Sequence, residues 1–103
     1  MDKNVSPIHP GEILFEDFIK PVGLTQYRLA QDLGVTPIRI SQIVNGKRSI
    51  SVDTALRLAR YFGTGAAVWL RLQVRYGLEV AEQELGKRIN REVKVRSQPS
   101  ARS

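Results

Sequence analysis

The sequence predicts an all-α protein of one domain. Apolar residues recur at helical spacing, helix-starting and helix-stopping residues punctuate the chain about every 10 to 15 positions, and no segment alternates with period two for long. A chain of 103 residues, 42% of them apolar, is long enough for one core and short for two. It has no cysteine, so disulfides, thiol nucleophiles and thiolate metal sites are excluded. No apolar run approaches the roughly 20 residues that span a bilayer, and no secretory leader pattern opens the chain. A cytoplasmic location with no membrane partner is the expectation.

The first helix opens at His9-Pro10-Gly11-Glu12. Pro10 sits where no N–H donor is needed, and Glu12 is placed to accept from the free N–H groups of the first turn. Ile13, Leu14 and Phe18 give this helix an apolar face; it stops before Pro21, and Gly23 lets the chain reverse. Thr25 is the expected N-cap of a second helix, Gln26 to Leu33, with Leu29, Ala30 and Leu33 on one side. Gly34 ends it in the left-handed conformation that suits glycine. Thr36 then caps a third helix with Pro37 at its first position, and Asn45-Gly46 closes it.

A fourth helix starts after Ser49 or Ser51 and runs to Phe62, with Val52, Ala55, Leu56 and Ala59 expected in the core. Gly63 and Gly65 separate it from a fifth, which carries Val68, Trp69, Leu72 and Tyr76 on one stripe. Gly77 is expected to break or bend that helix, leaving a further, more polar helix over residues 78 to 90. From Ser97 onward no apolar periodicity remains, and disorder is expected. The domain is accordingly drawn over residues 1–92, with a basic flexible tail over 93–103.

The formal net charge is +6. Residues 1 to 85 hold ten Lys/Arg against nine Asp/Glu, whereas residues 86 to 103 hold six against one. The excess therefore sits in the tail, and a basic tail is weak support for a nucleic-acid partner. That case has to come from the folded part.

It comes from residues 25 to 45. Two short helices joined by Gly34-Val35-Thr36 match the helix-turn-helix layout. At 3.6 residues per turn, Ile40, Ile43 and Val44 fall on one side of the second helix, and Ile38, Gln42 and Asn45 on the other, flanked by Arg39 and Ser41. The free face carries what base edges in a major groove require. Gln42 can bond an adenine bidentately, Arg39 a guanine or a phosphate, and Ile38 can meet a thymine methyl. Pro37, Ile38, Arg39, Ser41 and Gln42 are therefore assigned to the bases. Thr25, Gln26, Thr36, Asn45, Lys47 and Arg48 are assigned to the sugar-phosphate backbone, where contacts set register without reading sequence.

On these residues the chain resembles the HigA-type antitoxins, a branch of the lambda-repressor-like (XRE) helix-turn-helix superfamily. The resemblance spans residues 8 to about 92. It rests on Ile8-His9-Pro10-Gly11-Glu12-Ile13-Leu14, on Arg39-Ile40-Ser41-Gln42-Ile43-Val44-Asn45-Gly46-Lys47-Arg48, on Thr54-Ala55-Leu56-Arg57-Leu58-Ala59, and on Phe62-Gly63-Thr64 followed by Trp69-Leu70-Arg71-Leu72-Gln73. It implies a five-helix lambda-repressor-like domain. It also implies a homodimer that binds the double-stranded DNA of its own operator as a repressor, and that neutralises a co-encoded messenger-RNA-cleaving toxin by direct binding. Arg71, Val68 and Gly77 stand where an asparagine, an aromatic and an acidic residue are common in the family. All three bear on a dimer or partner surface more than on DNA.

His9 is the only histidine, and without partners for a metal or for acid-base catalysis its expected role is to start a helix. Glu12, Glu16 and Asp17 share one helix face, to be solvated or to meet a basic toxin. Trp69, Leu72 and Tyr76 suit either intramolecular core or a dimer seam. No nucleophile setting, phosphate-cradling glycine loop or metal spacing is present, so neither an enzyme nor a cofactor is expected. Two other readings remain: a solitary transcription regulator without a toxin, and a toxin-binding module that uses DNA little.

Overall fold

A computed structural model describes residues 6–97. The described residues form five helical segments and no strand. Helix α1 is α-helical over Pro10–Ile13, widens to a π-helix over Leu14–Ile19 and tightens into a 3-10 turn over Lys20–Val22, where Gly23 reverses the chain at φ 68. Next come α2 (Gln26–Leu33), α3 (Pro37–Val44), α4 (Val52–Phe62) and α5 (Ala66–Glu92).

The first four starts have a local cause. Thr25, Thr36 and Ser51 accept through their side chains from the N–H of Arg28, Arg39 and Thr54, which satisfies donors that the helix itself cannot. At α1 the capping acceptor is the His9 imidazole, whose Nδ1 takes the Gly11 N–H at 2.9 Å; the role expected of Glu12 falls to it. The π-helical stretch had no signal in the apolar spacing. It brings Leu14 and Ile19, five residues apart, into the same core, because hydrogen bonds from i to i+5 stack residues at that interval.

The core gathers Leu14 and Ile19 of α1, Leu29, Ala30 and Leu33 of α2, and Ile40 and Ile43 of α3 around Ala55, Leu58 and Trp69. Phe18 packs between Trp69 and Phe62, with ring centroids 5.0 Å apart in each pair. Trp69 is wholly buried and its Nε1–H donates to Thr64 Oγ1 at 2.9 Å, so within this chain the residue belongs to the core. Val68, expected on the same stripe, lies at its exposed edge.

Two further expectations are corrected. Val52 and Leu56 of α4 are 61% and 58% exposed, and the buried positions are Thr54, Ala55 and Leu58. Two apolar arcs overlap on this helix, and polar anchors choose between them. Arg57 Nη1–H reaches the Leu33 carbonyl at 2.8 Å, and Thr54 Oγ1 is bonded by Ser51 and Arg39, so α4 is turned with Thr54 inward.

The second correction is at Gly77. Helix α5 runs through it without a break, so there is no separate helix over 78 to 90. One glycine in a helix interior costs about 1 kcal/mol relative to alanine, too little to interrupt a helix held on both sides. A Cβ at Gly77 meets nothing within 4 Å. Gly77→Ala is therefore expected to stabilise the fold by roughly 0.5 to 1 kcal/mol, read as a higher urea midpoint at unchanged slope; a lower midpoint would contradict the continuous helix.

Helix α5 carries the fold to its 55 Å long axis, against 29 and 25 Å across. Its N-terminal half packs on α4 and α1, and Gln73 Oε1 accepts from the Ile50 N–H at 2.8 Å, which ties down the loop after α3. Beyond Gly77 it leaves Leu78, Leu85 and Ile89 exposed. It ends at Glu92, with Val93 extended; apart from Ser97, the segment expected to be disordered lies outside the described residues. Among the described residues no helix is long and apolar enough to cross a membrane.

Candidate nucleic-acid interface

The α2-turn-α3 unit is built around Gly34, whose φ of 75 is the left-handed value an L side chain rarely adopts. Helix α3 buries Ile40 and Ile43 completely and half-buries Val44, so its opposite face is directed away from the protein. Ile38 stands on that face at 61% exposure, and Pro37 beside it is exposed as the first helical residue. Beside the polar members of this face, Ile38 is an apolar group of the kind that suits a thymine methyl.

The polar members of the face are not free. Ser41 and Gln42 are half-buried. Gln42 Oε1 accepts from Arg48 Nε at 2.8 Å, and Ser41 Oγ from Asn45 Nδ2 at 3.4 Å. A residue assigned to bases is thus joined to one assigned to phosphates, and Gln42 has to exchange the Arg48 contact to present its full amide edge. Arg39 is turned back toward α4. Its Nη1 lies 3.1 Å from Asp53 Oδ1 and 3.4 Å from Thr54 Oγ1. Asp53 also takes Arg57 Nε at 2.8 Å, and this hydrogen bond, with Arg39 adding to it, holds the Asp53 carboxyl below the usual carboxylate range. Arg39 is therefore held by protein partners on α4.

Thr25 and Thr36 spend one oxygen lone pair on capping and keep their own O–H to donate. Gln26 and Asn45 line one cleft with His9, Glu12, Glu16 and Gly46, at the junction of α1, α2 and the end of α3. Lys47 and Arg48 follow in the exposed turn that Gly46 permits with φ 75; the Lys47 N–H donates to the Gln42 carbonyl at 2.8 Å. Of the assigned residues, Gln26 and Asn45 share a cleft, Ser41 is bonded to Asn45, and Gln42 to Arg48.

Four residues that hold this surface in place were not assigned to it from the sequence. Asp53 restrains Arg39, Arg57 joins α4 to the end of α2, and His9 and Gly11 lie against the end of α3. Their partners are 14 to more than 30 residues away in the chain; the block resemblance around positions 8 to 14 and 54 to 59 takes in His9, Gly11 and Arg57, and nothing in the sequence pointed to Asp53. Among the described residues no group of three or more His, Cys, Asp or Glu side chains is gathered as for a metal ion.

The helix-turn-helix family profile matches residues 16–69. Virulence-associated protein I of Dichelobacter nodosus is 54% identical over 83 residues, which are 80% of this chain and 77% of that protein. Among solved structures, the antitoxin HigA of Pseudomonas aeruginosa, determined with the higBA promoter, is 42% identical with a TM-score of 0.84, over 85% of this chain and 96% of that one. An addiction module antidote protein of the HigA family from Coxiella burnetii is 43% identical with a TM-score of 0.85, over 89% and 100%. With the four sequence blocks, the outward-facing α3 and these similarities in agreement, the chain belongs to the helix-turn-helix family and, within it, to the HigA-type antitoxins, a non-enzymatic group.

Proposed function

We propose that the protein is a dimeric repressor that binds the operator of its own operon through α3 and neutralises a co-encoded messenger-RNA-cleaving toxin by direct binding. The observation that carries the DNA half is the orientation of α3. Ile40 and Ile43 anchor it while Ile38, Ser41 and Gln42 form its outer face, with Lys47 and Arg48 in the adjoining turn. In this reading Pro37, Ile38, Arg39, Ser41 and Gln42 meet the bases, and Thr25, Gln26, Thr36, Asn45, Lys47 and Arg48 the phosphates. A mobility shift on DNA from upstream of the gene tests it. Two half-sites about 10 base pairs apart are expected, one helical turn, and absence of binding to any upstream fragment at low salt would remove the repressor.

Gln42→Ala is expected to weaken operator binding by roughly 1 to 3 kcal/mol and to relax preference at one base position. Lys47→Ala should weaken all sequences alike and flatten the salt dependence by about one unit of slope. A competition series over single-base operator variants separates the two; identical profiles would refute the division between base and phosphate contacts.

The outer face of α5 supports the dimer. Val74 and Leu78 are exposed there, with Arg71 and Arg75 toward one end and Glu79 and Glu82 toward the other. An antiparallel copy would place opposite charges together about a two-fold axis, as a self-complementary interface requires. A monomer by sedimentation at operator-binding concentrations would exclude it. The toxin half rests on membership of the HigA type, and co-expression with the adjacent reading frame tests it: a neighbour that never co-purifies removes that half.

A further inference from the structure

We propose that His9 is a pH-sensitive positioning residue, whose neutral imidazole braces the turn carrying Lys47 and Arg48 and whose protonation releases that turn and weakens DNA binding. The inference rests on the reading that this turn meets phosphate. His9 joins three parts of the fold that are distant in sequence. Its Nδ1 accepts the Gly11 N–H at 2.9 Å and so starts α1. Its ring lies edge-on to Tyr76 of α5, with centroids 4.8 Å apart at 69°. The same ring backs Gly46, where a Cβ would lie 3.8 Å from it, and so stands against the start of the turn that continues to Lys47 and Arg48. Two residues on, Gly11 lies against the Ile43 carbonyl at the last turn of α3.

This arrangement requires a neutral ring. Nδ1 can accept the Gly11 N–H only while it carries no proton, and a protonated ring would set two donors against each other and leave the α1 start uncapped. Burial pushes the His9 pKa below the ordinary histidine value, and the Arg48 backbone opposes that shift more weakly. Glu12 and Glu16 of α1 share a cleft with the ring, Tyr76 of α5 lies edge-on to it, and Lys47 and Arg48 follow Gly46 in the turn beside it. The two carboxylates would favour an imidazolium, but both side chains are exposed and screened by water, and the basic turn opposes it.

The sign of the linkage follows. DNA selects the braced turn, which holds fewer protons than the released one, so affinity is full above the His9 pKa and falls as pH drops through it. The chain has one histidine, so no other side chain with an unperturbed pKa titrates between about pH 5 and 8.

The test is fluorescence anisotropy of the full chain on a labelled duplex from upstream of its gene, at constant ionic strength across that range. Wild type should lose roughly fivefold or more in affinity between about pH 7.5 and 5.5, a change within the usual range of coupling between sites. His9→Asn keeps a capping oxygen and does not titrate, so its affinity should stay flat; His9→Ala should be weak throughout. The NMR titration of the single imidazole in the free protein gives a measure independent of any variant, and the affinity loss should begin at its midpoint. Parallel pH profiles for wild type and His9→Asn would overturn the proposal. So would tighter wild-type binding at low pH, which would make the imidazolium a phosphate ligand. A chain that is folded but binds no upstream DNA at any pH removes the operator reading and this inference with it, whereas pH-independent binding removes this inference alone.

Discussion

Replacing Gly11 with alanine is expected to separate α1 from α3 and to lower the melting temperature by about 12 to 24 °C, corresponding to roughly 3 kcal/mol in a domain of this size. A Cβ at this position would fall on the Ile43 carbonyl oxygen, with the carbonyl carbon only 2.6 Å away. Neither side can yield by a side-chain rotation, because both are backbone. The Ile43 carbonyl is also committed, accepting from the Gly46 N–H at 3.0 Å. The helices must move apart, and the contact that opens is the one where Leu14 and Ile43 are fully buried. DNA binding should fall with stability, since Asn45 to Arg48 leave α3 at the same point. Circular dichroism melts check this, and a variant melting within a few degrees of wild type would show that the close approach of α1 and α3 is not required.

Trp69→Ala is the second large effect, at about 3 to 5 kcal/mol. Its indole is the largest buried side chain, in contact with Phe18, and it closes the core between α1 and α5. Truncation leaves a cavity walled by helices that cannot all collapse into it. It also strips Thr64 Oγ1 of its donor. Trp69→Phe keeps most of the volume and loses only that hydrogen bond, so a markedly smaller loss is expected. Because Trp69 is the only tryptophan, urea unfolding has to be followed by circular dichroism rather than fluorescence. Equal losses in the two variants would mean that the hydrogen bond, not the packing, is what the residue supplies.

Helix starts and stops were legible because their causes are local. Thr25, Thr36, Gly34 and Gly63 act on donors and acceptors within a few residues of themselves, and each stands where the sequence placed it. The outward face of α3 was legible for the same reason, since Ile40 and Ile43 mark the inner side by spacing alone. The rotation of α4 was not. Val52, Ala55, Leu56 and Ala59 make as good an apolar arc as the one that is buried, and the choice fell to Arg57 on the Leu33 carbonyl and Arg39 on Thr54, contacts that no local pattern encodes. Gly77 misled in the other direction, because a weak intrinsic preference yields to helical continuity on either side of it.

The sequence by itself determined an all-helical chain with a helix-turn-helix over residues 25 to 45 and a defined outer face on its second helix, because capping, glycine conformation and a 3.6-residue period are all short-range. Only the tertiary structure decided that Arg39 and Gln42 are held by Asp53 and Arg48, and that His9 and Gly11 sit against the end of α3. Those contacts join segments 6 to more than 30 residues apart. They depend on how close two backbones come, which the order of side chains along one strand of sequence does not express.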